Sequence, residues 1–174
     1  MNPRSTDTIR RLRPTDAAAF RTLRLDGLAR HPEAFGASWE AEVEQPLAWF
    51  AATLENHAVF GAWRTGDGLV GIAGLYIPDA MKLRHKGTLW GVFVRPDARR
   101  SGIATSLIRA VIDHAATCVE DVSLSVGATN ATALRCYEAA GFVSYGLEPR
   151  ALKIANTYYA EVLMVLPIKQ SDQG

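Results

Sequence analysis

The sequence predicts one mixed α/β domain, spanning residues 1–174, in which helices flank a β-sheet. Its 174 residues, 48% hydrophobic and 21% charged, are typical of a single soluble globular domain. Hydrophobic residues alternate or run continuously over several short segments and recur every 3.6 residues over others. The resulting order is β-α-α-β-β-β-α-β-α-β-β. It predicts an antiparallel meander, followed by strand–helix–strand units that favour parallel neighbours through right-handed crossovers.

The first third of the chain predicts one strand and two helices. A strand candidate over 8–13 precedes a helix with apolar residues at helical spacing. That helix ends at His31-Pro32, because a residue before proline is pushed out of the helical region. We expect residues 35–45 to be irregular and acidic, and Pro46 to open a second helix.

The remaining chain alternates between the two periodicities. Strands are predicted over 58–64, 69–77, 88–94, 122–126, 142–147 and 159–166, and helices from Gly102 and over 131–140. Gly66, Gly68 and Gly71 fit the G-x-G-x-x-G dinucleotide pattern, but that pattern requires a following helix. Here a strand follows, so the glycines predict a hairpin turn.

The net charge indicates which partners to expect, and the cysteine content indicates the cell compartment. The net charge of +1 indicates neither a nucleic-acid nor a membrane partner. No secretory signal is visible, so Cys118 and Cys136 predict reduced thiols in a cytoplasmic protein. The four histidines lack metal-ligand spacing, and we expect no metal site.

One segment combines features of an anion site. A buried strand ends near Pro96, a loop with Arg99 and Arg100 follows, and an amphipathic helix opens near Gly102. The first amides of a helix have no internal partner and carry partial positive charge, and glycine lets a phosphate approach them. The segment therefore predicts a pyrophosphate cradle, with an ordinary strand–helix turn as the structural alternative.

Two motifs at matching spacing resemble the GCN5-related N-acetyltransferase (GNAT) superfamily. The string Arg99–Ala104 resembles its [R/Q]-x-x-G-x-[G/A] loop, which binds the pyrophosphate of acetyl-CoA, and 92–96 resembles its central strand and V-x-P exit. Asn130, Tyr137 and Gly141-Phe142 match its N-x(6)-Y-x-x-x-G-F pattern. The resemblance implies the acyl-CoA N-acyltransferase fold, a mixed and centrally splayed β-sheet flanked by helices.

The resemblance also implies roles for individual residues. Backbone groups of Phe93 and Val94 would pair with the pantetheine arm, and the Val94 N–H would polarise the thioester carbonyl. Asn130 would contact the arm, or simply cap the helix after it. Tyr137 would hydrogen-bond the departing sulfur, unless it is only an aromatic core residue. The pyrophosphate would be surrounded by the amides of Arg99, Arg100, Ser101, Gly102, Ile103, Ala104 and Thr105.

The sequence identifies neither the base that takes the proton nor the amine substrate that takes the acetyl group. Many family members carry a glutamate on the central strand, but residues 88–91 include no carboxylate. The glutamates of Glu40–Glu44, His85 and a water relay remain as candidates for the base. Arg150 and Lys153 would suit an acidic group on the acceptor if they face the cleft.

The resemblance as a whole implies an N-acetyltransferase. Acetyl-CoA would be the co-substrate, and a small-molecule or peptide primary amine would attack it directly in a ternary complex. Dimerisation is common in similar proteins, so a homodimer is an open expectation. The alternatives are a non-catalytic acyl-CoA-binding or regulatory module of the same fold, favoured by the missing strand carboxylate, and an enzyme that uses the cradle for ATP.

Overall fold

The computed structural model describes residues 7–168, which form one seven-stranded sheet with helices on both faces. The strands are β1 (Asp7–Arg11), β2 (Ala58–Arg64), β3 (Gly68–Tyr76), β4 (Lys86–Val94), β5 (Asp121–Gly127), β6 (Val143–Ile154) and β7 (Thr157–Pro167). The helices are α1 (Ala17–Arg30), α2 (Trp39–Glu42), α3 (Leu47–Asn56), α4 (Ile103–Ala115) and α5 (Ala131–Ala139). The mixed α/β class predicted from the periodicity is confirmed.

The sheet has the order β1-β2-β3-β4-β5-β7-β6. β4 and β5 run parallel and every other neighbouring pair runs antiparallel. Helix α4 crosses over between the two parallel strands, as a parallel pair requires. The glycines of the G-x-G-x-x-G pattern lie in the β2–β3 hairpin, which confirms the interpretation as a turn.

Two segments differ from the sequence prediction. Helix α2 forms inside a stretch expected to be irregular, where Ser38 accepts a hydrogen bond from the Ala41 amide and caps its first turn. Strand β6 continues to Ile154 instead of stopping near Leu147. Its second half pairs with β7 after a register shift, and most of its side chains are exposed. An exposed strand lacks the hydrophobic alternation from which a strand is predicted.

The core consists of two apolar layers on opposite faces of the sheet. Helix α4 packs on one face, where Leu107, Ile108 and Val111 contribute to the layer that also contains Val94. Helices α1 and α3 pack on the other face, in a layer that contains Phe93. The side chains at the end of β4 therefore pack in two different layers, Val94 on the α4 face of the sheet and Phe93 on the face of α1 and α3.

Strand β4 contains the main irregularity near the middle of the sheet. Its pairing with β3 shifts by one residue between the Ile72–Phe93 and Gly74–Trp90 pairs, and Gly91 between them has a φ of +64°. A bulge of this kind lets Trp90 and Phe93 lie on the same face, although they are three positions apart and would lie on opposite faces of a regular strand. β4 pairs with β5 only over residues 86–88, so a gap opens beside residues 89–94.

We predict that Gly74→Ala destabilises the protein by about 1–3 kcal/mol. A β-carbon at Gly74 would lie 2.5 Å from Cε2 of Trp90, so the half-buried indole must move. Equilibrium denaturation by urea measures the change. The matched control is Gly36→Ala, where nothing lies within 4 Å of the added carbon, and we expect its effect to stay within about 0.5 kcal/mol. Equal stabilities of the two variants would contradict the packing described here.

Candidate active site

The loop between β4 and α4 forms an open cradle of backbone amides. Gly102 has a φ of +80° and nothing lies within 4 Å of its missing β-carbon. The first intrahelical bond of α4 runs from the Ser106 amide to the Gly102 carbonyl at 3.0 Å. The amides of Ile103, Ala104 and Thr105 therefore have no helical partner. A helix N-terminus with this exposure favours an anion.

The two arginine side chains of the loop differ in their hydrogen bonds to the rest of the protein. Arg99 donates from Nε to the Val94 carbonyl at 3.0 Å, and its Nη2 lies 3.1 Å from Nε2 of His31. Its guanidinium thus ties the loop to the end of β4 and to the end of α1. Arg100 is exposed and has a φ of +61°, so it is the loop arginine left free to reach a phosphate.

Backbone amides of β4 point into the gap. The Arg95 amide donates to the Val70 carbonyl of β3 at 2.9 Å. Because successive backbone groups of a strand alternate in direction, the Val94 N–H points away from β3, and so does the Val92 N–H. The backbone groups of Phe93 point toward β3, so Val92 and Val94, and not Phe93, present their backbone groups to the gap. The bulge decides this alternation, and nothing in the sequence signalled it.

Helix α5 lies beside the first turn of α4. The Sγ atom of Cys136 is 4.0 Å from Oγ1 of Thr105. Asn130 accepts the Ala133 amide at 3.1 Å, so its capping role is observed. Tyr137 is partly buried and its ring packs edge-on against Phe142 at 5.9 Å. Burial raises the pKa of the Tyr137 phenol, with Cys136 as a smaller cause, so the hydroxyl stays protonated at physiological pH.

A cavity of about 330 Å³ opens on the other face of the sheet, against α1, α2 and α3. Its walls are mainly aromatic, and its lining consists of Phe20, Arg24, Glu42, Trp49, Thr53, His57, Tyr76, Thr88 and Trp90. Trp90 immediately precedes the bulge of β4, so the cavity adjoins the strand beside which the gap opens. Size and lining are those of a small-molecule site.

Arg24 and Glu42 form a buried ion pair in this cavity. Nε and Nη2 of Arg24 donate to the two carboxylate oxygens at 3.0 and 2.8 Å. The two residues are 7% and 6% exposed, which makes them the buried charged residues of the described chain. Nη1 makes no hydrogen bond with residues 7–168, and it lies 3.4 Å from where a β-carbon of Gly91 would stand.

His57 contributes the cavity's one imidazole. Its ring packs edge-on against Tyr76 at 5.2 Å and against Trp90 at 5.5 Å. Burial lowers the pKa of His57, so the ring is neutral at pH 7. Neither Arg24, on α1, nor His57, just after the end of α3, stood out in the sequence, because a single basic residue has no distinguishing pattern.

The side chains proposed from the sequence as the base differ in their exposure and in their position relative to the cavity. Glu40 and Glu44 are exposed, and Glu42 of the same segment lines the cavity. His85 is exposed and precedes the first residue of β4, at the end of the strand away from the gap. Arg150 stacks on Tyr158 with its Cζ atom 3.7 Å from the ring centroid.

Within residues 7–168, no three His, Cys, Asp or Glu side chains come together as a metal site would require. None of the helices described is both long and apolar enough to cross a membrane.

Solved structures share the fold at low sequence identity. A GNAT-family acetyltransferase from Streptococcus pneumoniae is 20% identical and superposes with a TM-score of 0.81, over 94% of this chain and 100% of its own. The yncA protein from Salmonella typhimurium, solved with its cofactor acetyl-CoA, is 20% identical with a TM-score of 0.79, over 98% of both chains. The ribosomal-protein-S18-alanine N-acetyltransferase from Escherichia coli is 22% identical with a TM-score of 0.72, over 97% of this chain and 98% of its own.

No curated protein matches the chain in sequence. The sequence model of the acetyltransferase (GNAT) family, in contrast, matches residues 25–142, which include the cradle, the gap and the cavity residues from His57 to Trp90. The match extends over well more than half of the 174 residues and confirms the resemblance, so the chain belongs to the acetyltransferase (GNAT) family.

Proposed function

We propose that the protein is an N-acetyltransferase that moves the acetyl group of acetyl-CoA to a primary amine in a ternary complex. The gap beside β4 carries this proposal, because it leads from the amide cradle at Gly102 to the region of the aromatic cavity. A diphosphate, an extended arm and an acceptor would then occupy three adjoining sites. Family membership and the acetyl-CoA complex of yncA support the same cofactor.

The pyrophosphate would bind to the amides between Arg99 and Thr105, and the Arg100 side chain would add a charge-assisted hydrogen bond. The open space at Gly102 fits a phosphate oxygen close to the backbone. The pantetheine arm would lie in the gap, where the Val94 N–H and Asn130 are available to its amide groups.

The length of the arm supports a proposed position for the thioester along β4. About thirteen single bonds separate phosphorus from sulfur, roughly the length of four residues of extended chain. We place the phosphorus level with Arg95, the first residue after β4, so that this length reaches back to Gly91 and Val92. The Val94 N–H, expected to polarise the thioester, is then better placed for the arm, and we assign the thioester carbonyl to the Val92 N–H.

The reaction would proceed by direct attack. The amine nitrogen bonds to the thioester carbon, and the Val92 N–H stabilises the negative charge that develops on the carbonyl oxygen. The carbon–sulfur bond then breaks, and the Tyr137 hydroxyl stabilises the departing thiolate with a hydrogen bond. The products are the N-acetylated amine and CoA.

The amine must lose a proton before it attacks. Both oxygens of Glu42 already accept hydrogen bonds from Arg24, whereas His57 is neutral and lines the same cavity. We therefore propose His57, directly or through one water molecule, as the proton acceptor.

Partners and location complete the proposal. The acceptor is a small-molecule or peptide amine, without a nucleic-acid or membrane partner, and a homodimer remains the expectation drawn from similar proteins. Free thiols at Cys118 and Cys136 support a cytoplasmic location. A non-catalytic acyl-CoA-binding module would bind the cofactor without releasing CoA when amines are added.

The first prediction concerns the cradle. Gly102→Glu should weaken acetyl-CoA binding by at least roughly 10- to 100-fold, because it sets a carboxylate where the pyrophosphate would lie. Isothermal titration measures the Kd. Gly66→Glu is the matched control, since Gly66 also has a positive φ and open space but lies in the β2–β3 hairpin. Unchanged affinity in the Gly102 variant would overturn the cofactor site.

The second prediction concerns the leaving group. Tyr137→Phe should lower kcat by roughly 10- to 100-fold and leave the Kd for acetyl-CoA nearly unchanged, because the hydroxyl acts on sulfur as the thiolate forms. CoA release under saturating substrates measures kcat. Tyr145→Phe, on the exposed strand β6, should behave as wild type. A Tyr137 variant with the wild-type kcat would mean that the tyrosine only packs.

The third prediction concerns proton transfer. His57→Gln should lower kcat/KM by roughly 100-fold. In the wild type, kcat/KM should fall as the pH drops through a value below about 6.5, because burial lowers the pKa of His57 and only the neutral ring accepts a proton.

The pH profile and a matched variant check this role. The acid limb should disappear in His57→Gln. His114→Gln replaces another histidine whose pKa burial lowers, but on α4 across the sheet, and it should retain the wild-type profile. An unchanged acid limb in the His57 variant would exclude His57 as the base.

A further inference from the structure

Nη1 is the nitrogen of the buried Arg24 guanidinium that does not contribute to the ion pair with Glu42. Nε and Nη2 hold Glu42, whereas Nη1 makes no hydrogen bond with the residues described. Arg24 lines the cavity and Nη1 lies beside Gly91, at the bulge of β4. A guanidinium nitrogen with two unused N–H donors is a binding group for a carboxylate.

The charge of the cavity limits what can accompany that carboxylate. Arg24 and Glu42 cancel each other, and burial makes an uncompensated charge costly. A ligand with one negative and one positive group keeps the cavity neutral, whereas a simple cationic amine adds a net positive charge. The carboxylate would meet Nη1, and the ammonium group would stay on the gap side until it loses its proton.

The spacing of the two groups selects among such zwitterions. Nη1 lies beside Gly91, and the proposed thioester lies beside Gly91 and Val92. The amine and the carboxylate must therefore be only a few ångströms apart, which an α-amino acid satisfies and a long ω-amino acid does not. The rest of the ligand would face the rings of Phe20, Trp49 and Trp90.

We infer that the acceptor is a free α-amino acid with an apolar side chain, and that Arg24 Nη1 binds its α-carboxylate. This inference rests on the proposed function, because the position of the thioester comes from it. It makes Arg24 a specificity-determining residue.

The test compares acceptors that differ only in the carboxylate. Acetylation of L-phenylalanine, L-leucine and L-tryptophan is measured against their amides and against the corresponding amines without a carboxylate. The free amino acids should show a kcat/KM roughly 10- to 100-fold higher, the value of one hydrogen bond between charged groups. Equal or higher kcat/KM for the amides or amines would overturn the inference.

A conservative variant tests Arg24 itself. Arg24→Lys keeps a positive charge beside Glu42 but lacks Nη1. It should lower kcat/KM for the free amino acid roughly 10- to 100-fold more than that for the amide, whereas a general loss of structure would lower both equally. Arg30→Lys is the control, because Arg30 is on the same helix but pairs with Asp26 at the surface. Equal losses for both acceptors in Arg24→Lys would contradict carboxylate recognition.

Cofactor binding separates this inference from the proposed function. The Kd for acetyl-CoA is measured in the wild type and in both arginine variants. Absence of binding in the wild type overturns the proposed function and the inference together. Normal binding, with acetylation of amines but not of amino acids, overturns only the inference.

Discussion

The divergence of β4 from β5 is the constraint on which the rest of the site depends. The two strands pair over three residues and then separate, so the amides of Val92 and Val94 face an open gap instead of a neighbouring strand. Unpaired amides inside a sheet require a partner from outside the protein or from solvent. The proposed partner is an extended acyl-CoA arm, which can accept the hydrogen bonds that β5 gives up.

The bulge at Gly91 links the two faces of the sheet at this point. It brings Trp90 and Phe93 to the same face, so that one wall of the aromatic cavity comes from the strand that borders the gap. Helix α4 contributes its N-terminus at the end of the same strand. Helices α1 and α3 contribute the cavity walls on the opposite face. Cofactor and acceptor would therefore approach β4 from two sides and meet at the bulge.

The buried ion pair has a structural and a chemical consequence. Removal of one partner from a buried pair is expected to destabilise a protein strongly, because the other charge then lacks compensation. Arg24 and Glu42 thus fix α1 against α2 and close one side of the cavity. The same pair cancels its own charge and leaves a single guanidinium nitrogen unused. A polar group oriented in this way in an apolar cavity gives specificity more than stability.

The sequence by itself determined the features that lie within one contiguous segment. The cradle from Arg99 to Thr105 was predictable because strand end, loop and helix start follow one another, and the resemblance supplied the roles of Asn130 and Tyr137. Tertiary structure alone decided the rest. The backbone groups of β4 that face the gap, those of Val92 and Val94, depend on a one-residue bulge that reverses the direction of every later backbone group. Arg24, Glu42 and His57 come from three different parts of the chain and meet only after packing, so the sequence offered only Glu42, as one glutamate of Glu40–Glu44, and no spacing indicated the other two.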